Sequence, residues 1–168
     1  SKFLHAGPGF GGSCFPKDVK AFAITAKKLN VDFSIIDSVD TSNEQRPYKI
    51  VNKILKHFDN NLKDKTIAIL GLSFKPNTDD VRNSTSISIA DLLNKKGAIV
   101  KCFDPQAMQN AKKLLPKIIY CDSVYNACQD VHAIVIATEW NEFRALDFDN
   151  LKKQMKSAII FDLRNIYN

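Results

Sequence analysis

Cys14 stands between a glycine-rich stretch and a helix-like one, in the run Gly11-Gly12-Ser13-Cys14-Phe15-Pro16-Lys17-Asp18. Pro16 suits the first turn of a helix, where its missing N–H costs nothing. Cys14 then falls at a helix N-terminus, where unpaired N–H groups and the positive end of the dipole favour a thiolate. Lys17 adds a second positive charge, and the preceding glycines let a ligand approach the backbone closely. This pattern predicts a nucleophilic thiol; the plainer alternative is an ordinary helix start after a turn. Asp18 follows one helical turn later, near the same face, where it is also simply a first-turn carboxylate that suits the dipole. The other cysteines, Cys102, Cys121 and Cys128, show neither metal-ligand spacing nor a CxxC pair. They lie in apolar strand-like or helix-like segments and are expected to be inert, reduced core thiols.

Those residues need elements to hold them. Residues 1–16 have no hydrophobic period, and so glycine-rich a terminal arm is expected to be mobile. Val19, Phe22, Ala23, Ala26 and Leu29 then recur at helical spacing. A second helix is expected over 34–58, with an apolar stripe of Ile50, Val51, Ile54, Leu55 and Phe58, and with a kink or break at Pro47. A largely polar helix of that length usually packs against a partner.

From Lys65 onward, short β-branched runs alternate with helical patterns. Strands are predicted over 66–70, 99–103, 117–120, 133–137 and 158–161. Helices are predicted over 84–96, 106–115, 123–128 and 149–155. Uninterrupted apolar strands bounded by turns imply burial on both faces, hence a doubly wound parallel sheet within an α/β architecture. Residues 1–62 form one region, the cysteine loop with its helices, and residues 63–168 the sheet domain. Asp104-Pro105 reads as a turn rather than a ribose-binding carboxylate. His57 and His132 are expected to be structural or surface residues, and Trp140 a packing aromatic.

Composition narrows the classes further. The chain of 168 residues carries 24 Lys+Arg against 18 Asp+Glu, a net charge of +6, with 45% hydrophobic residues, too apolar for a disordered chain. No apolar run approaches membrane-spanning length. The lysines come as pairs, 27–28, 95–96, 112–113 and 152–153, each near a helix end where cations complement the dipole. There is no basic run and no basic–aromatic interleaving of the kind nucleic-acid binding requires.

Three stretches carry a resemblance. The run from Phe3 to Asp18 resembles the catalytic-cysteine motif of the UDP-glucose/GDP-mannose dehydrogenase family. Gly71 to Ser84 (GLSFKPNTDDVRNS) resembles the opening of that family's C-terminal, UDP-binding domain. Asp162-Leu163-Arg164-Asn165 is similar to its closing motif, with Leu163 in place of the usual glycine. The resemblance implies a helical central segment followed by a Rossmann-like C-terminal domain. It also implies a cytoplasmic, NAD-dependent oxidation of UDP-glucose to UDP-glucuronate in two hydride transfers. Cys14 would form a thiohemiacetal and then a thioester, with Asp18 managing the water or the oxyanion. Substrate contacts would come from His5, Ala6, Gly7, Pro8, Gly9, Phe10, Gly11, Phe74, Lys75 and Arg164. Cys14, Lys17 and Arg82 would face NAD, no metal is implied, and the helix around 37–58 would form a homodimer. No GxGxxG joins a strand to a helix here, so the resemblance implies a fragment lacking the NAD domain and inactive alone. The alternatives are a dehydrogenase of GDP-mannose or a UDP-N-acetylhexosamine, and a non-catalytic UDP-sugar-binding module.

Overall fold

A computed structural model describes residues 5–167. Two helices come first, α1 (Phe15–Lys28) and α2 (Ser34–His57), followed by alternating strands and helices. These are β1 (Thr66–Leu70), α3 (Thr85–Lys95), β2 (Ile99–Phe103), α4 (Met108–Leu114), β3 (Ile119–Tyr120) and α5 (Val124–Cys128). The chain ends with β4 (Ala133–Ile136), a short 3-10 helix over Asn141–Ala145, α6 (Phe148–Gln154) and β5 (Ile160–Asp162). The five strands form one sheet in the order β3-β2-β1-β4-β5, and every pairing is parallel. This is the α/β architecture with a doubly wound sheet that the sequence predicts.

β1 shows why the sheet needs cover on both sides. Ile67, Ala68, Ile69 and Leu70 are all fully buried, and alternate residues point to opposite faces. Ile67 and Ile69 join a core with Ile54, Ile89, Leu93 and Val100. Ala68 and Leu70 join a second core with Cys128, Ile134, Ile136, Phe143 and Leu151. Parallel strands force each connection to cross over, so helices coat both faces and the loops at the strand C-termini gather along one edge. The four lysine pairs lie in or just past the last turns of α1, α3, α4 and α6.

The helix expected over 34–58 forms, and of the kink or break expected at Pro47 the break does not occur. α2 runs through 24 residues with Pro47 buried inside it. An interior proline costs a helix about 3 kcal/mol, whereas burying each of Ile50, Val51 and Ile54 returns about 1.5–3 kcal/mol. Packing therefore outweighs the lost hydrogen bond. The last strand also differs from expectation, since it pairs over Ile160–Asp162 rather than from residue 158.

Candidate functional site

Cys14 occupies the N-cap of α1, with Pro16 in the first helical turn and the Cys14 carbonyl accepting the Asp18 N–H at 2.9 Å. Its side chain caps no amide; Sγ lies 3.7 Å from Ser13 Oγ. Of the four thiols it alone is exposed. Burial pushes Cys102 well above the ordinary thiol range, Cys128 up to about 12, and Cys121 upward to a smaller extent. Cys102 and Cys128 are the core thiols expected, whereas Cys121 is only partly buried, against the expectation of a core position. Asp18, also exposed, has its carboxylate 3.6 Å from Lys17 Nζ.

The arm that leads to Cys14 is tied at several points between residues 7 and 12. Asn43 on α2 grips Phe10 with both ends of its carboxamide: Oδ1 accepts the Phe10 N–H at 2.9 Å, and Nδ2 donates to the Phe10 carbonyl at 3.0 Å. Arg46 Nη2 donates to the Gly7 carbonyl at 3.2 Å. On the far side, the Gly12 N–H donates to the Arg82 carbonyl at 2.8 Å, and Asn83 Nδ2 to the Gly12 carbonyl at 3.3 Å. Gly11 packs so closely that a Cβ there would overlap the Asn83 backbone oxygen. The portion of the motif before His5 lies outside the described residues.

The second wall is the loop between β1 and α3. Asp80 holds it in shape, accepting from Arg82 Nε at 3.0 Å and from Arg82 Nη2 at 2.7 Å. That guanidinium keeps the Asp80 carboxyl below the usual carboxylate range. Arg82 is itself held more firmly protonated by its hydrogen bond and ion pair with Asp80. The Phe74 ring lies against Gly12, and Lys75 Nζ, on an exposed side chain, sits 5.4 Å from the centre of that ring.

Arg164 closes the site from the end of β5. It lies against Gly7, and Nη2 donates to the Phe74 carbonyl at 3.4 Å. Its Nε is 2.5 Å from Glu139 Oε2, although neither buried atom completes a well-aligned hydrogen bond. Burial lowers the guanidinium below its ordinary value, partly offset by Glu139. Gly7, Phe74 and Arg164 therefore meet, as do Gly12, Phe74 and Arg82. His5 and Ala6 are exposed, Gly9 is half-buried, and Pro8 is buried. Ala6, Gly7 and Pro8 also line a cavity of about 570 Å³ with Arg46, Lys49 and Lys53; Cys14, Phe74 and Arg164 do not line it.

Asp104 follows the expected turn and does more. Oδ1 accepts from the Gln106 and Ala107 N–H groups, while Oδ2 accepts from Leu72, Ser73 and the Trp140 indole at 2.7–3.2 Å. The amides at the end of β1, where a dinucleotide-binding turn would grip a pyrophosphate, are thus already used. Sequence reasoning missed Asn43, Asn83 and Glu139. Each is an ordinary polar residue whose partner is remote in the chain, so no spacing pattern singles it out. Among the described residues no group of three or more ligating side chains could hold a metal ion, and no helix is long and apolar enough to cross a membrane.

Residues 68–168 match the model of the UDP-glucose/GDP-mannose dehydrogenase family, UDP binding domain, and residues 1–45 match that family's central domain. The chain belongs to this family. Among its dehydrogenase relatives, UDP-glucose 6-dehydrogenase of Rickettsia conorii is 49% identical over 166 residues, 98% of this chain and 38% of the relative. The Rhizobium meliloti UDP-glucose 6-dehydrogenase is 46% identical over 167 residues, again covering 38% of the relative. The UDP-glucose dehydrogenase of Pyrobaculum islandicum superposes with a TM-score of 0.88 at 34% identity, over 98% of this chain and 36% of that one. The chain thus spans well under half the length of the dehydrogenases it matches.

Proposed function

We propose that this chain supplies the nucleophile and the sugar-nucleotide cradle of an NAD-dependent UDP-glucose 6-dehydrogenase. It would be the C-terminal part of a longer polypeptide that carries the NAD domain. One observation carries the reading: the only exposed thiol belongs to the N-cap residue of α1, at the end of an arm packed against Phe74 and, at Gly7, Arg164. Relatives named for this activity support it.

An alcohol gives up one hydride readily, but the resulting aldehyde has none to give until its carbon becomes tetrahedral. The Cys14 thiolate adds to the aldehyde carbon, forming a C–S bond and a thiohemiacetal. Loss of a second hydride turns that carbon into a thioester carbonyl. Water then attacks, the C–S bond breaks, and the acid leaves with the thiolate regenerated. NAD, when bound, accepts the two hydrides. Asp18 would orient the water or offset the oxyanion. The arm from His5 to Gly11 would hold the sugar nucleotide with Phe74, Lys75 and Arg164, whose planar guanidinium suits paired contacts to phosphate or hydroxyl oxygens. Lys17 and the solvent-facing part of Arg82 would meet the dinucleotide phosphates. The exposed Ile35, Val39 and Tyr48 on α2, with Phe22 on α1 and Leu29 at its C-cap, suit a homodimer contact, and four free thiols suit a reducing cytoplasm.

The complete polypeptide, supplied with NAD and UDP-glucose, is expected to release two NADH per sugar oxidised, while the 168-residue chain alone releases none. GDP-mannose and UDP-N-acetylglucosamine serve as competitors in the same absorbance assay. A single NADH per sugar, faster turnover of either competitor, or activity in the isolated chain would each overturn the corresponding part of the reading.

A further inference from the structure

We infer that Asn43 is a positioning residue for the Cys14 thiol, acting through the glycine-rich arm. The inference rests on reading Cys14 as the nucleophile. Its carboxamide spends both functional ends on one residue, accepting from the Phe10 N–H at 2.9 Å and donating to the Phe10 carbonyl at 3.0 Å. A carboxamide carries a donor and an acceptor side by side; a carboxylate lacks the donor, and an alkyl side chain lacks both.

The grip reaches the thiol through aromatic packing. The Phe10 ring stands edge-on to Phe15, with centroids 4.7 Å apart and an interplanar angle of 82°. Phe15 is the first residue of α1 and the neighbour of Cys14, the N-cap. α2 therefore fixes Phe10, Phe10 buttresses Phe15, and Phe15 sets where the sulfur lies on the helix end. α2 is a firm anchor, because Val51 and Ile54 further along the same helix are buried in the sheet domain's core. The tether from Gly12 to Arg82 fixes the other side of the turn. Releasing Asn43 would free the arm between its contacts at Gly7 and Gly12, the span whose Phe10 supports Phe15.

The test uses the complete polypeptide in three forms, wild type, Asn43→Ala and Asn43→Asp. It reads kcat and KM for UDP-glucose, the rate of Cys14 alkylation by iodoacetamide at one neutral pH, and the melting temperature. Small displacements of a reacting group cost up to about 100-fold in rate. Asn43→Ala is expected to lower kcat by about 10- to 100-fold and slow Cys14 alkylation at least about threefold, with the melting temperature within a few degrees of wild type. Asn43→Asp, which keeps the acceptor, should fall between the two. Alkylation and kcat within twofold of wild type in Asn43→Ala would overturn the inference. So would losses no larger than those of Leu151→Ala, a truncation on α6 in the sheet's other core. If the wild type oxidises no nucleotide sugar yet alkylation still slows in Asn43→Ala, the positioning role stands and the dehydrogenase reading fails.

Discussion

At Gly11 the arm touches the backbone of the loop between β1 and α3, and an added methyl group would overlap the Asn83 carbonyl oxygen. Overpacking of this kind typically costs about 1–3 kcal/mol, and the strain falls beside the Gly12 amide, which donates to Arg82. Gly11→Ala is therefore expected to speed hydrogen exchange at the Gly12 amide by roughly 5- to 150-fold, the same energy read as local opening. Exchange within twofold of wild type would show that the arm accommodates the methyl elsewhere. Much of the residue-scale picture was legible: the N-cap position of Cys14 followed from Pro16 and the glycines, and the turn at Asp104 from Asp-Pro. The rest depends on folding. Asp104 Oδ2 collects amides from the end of β1 and the indole of Trp140, and Glu139 faces Arg164; neither grouping leaves a local pattern in the chain.

β1 begins beside a histidine whose unprotonated ring nitrogen is part of the strand's stability. His132 Nδ1 accepts the Thr66 N–H at 3.0 Å, which requires an unprotonated nitrogen. Burial, then the positive charges of Lys65 and Lys156, lower its affinity for a proton below the ordinary histidine value. The unfolded chain binds that proton more readily, so the contribution is complete above about pH 6.5 and is lost as pH falls through the lower folded value. The urea midpoint of the wild type is expected to drop between about pH 7 and 5 more steeply than that of His132→Asn; equal slopes would exclude this role. Among the elements, β1 and β4 were plain because strands buried on both faces read as unbroken apolar runs. The extent of α2 is legible from its apolar stripe; a kink or break at Pro47 is expected because proline's local penalty is visible in sequence, while the core that outweighs it is assembled from distant residues.

Across the whole molecule, α2 couples the two regions. Its C-terminal half is buried in one of the sheet cores through Val51 and Ile54, and its middle holds the arm through Asn43 and Arg46. The sheet brings the ends of β1, β4 and β5 to one edge, so that Phe74, Glu139 and Arg164 meet beside an arm that starts the chain. The proposed function turns on one exposed sulfur, that of Cys14. The most direct measurement is product formation by Cys14→Ala in the complete polypeptide, with NAD and UDP-glucose, followed by mass spectrometry. The account predicts no UDP-glucuronate, and in the wild type a substrate-derived adduct on the peptide carrying Cys14. UDP-glucuronate formed by Cys14→Ala at the wild-type rate would contradict it.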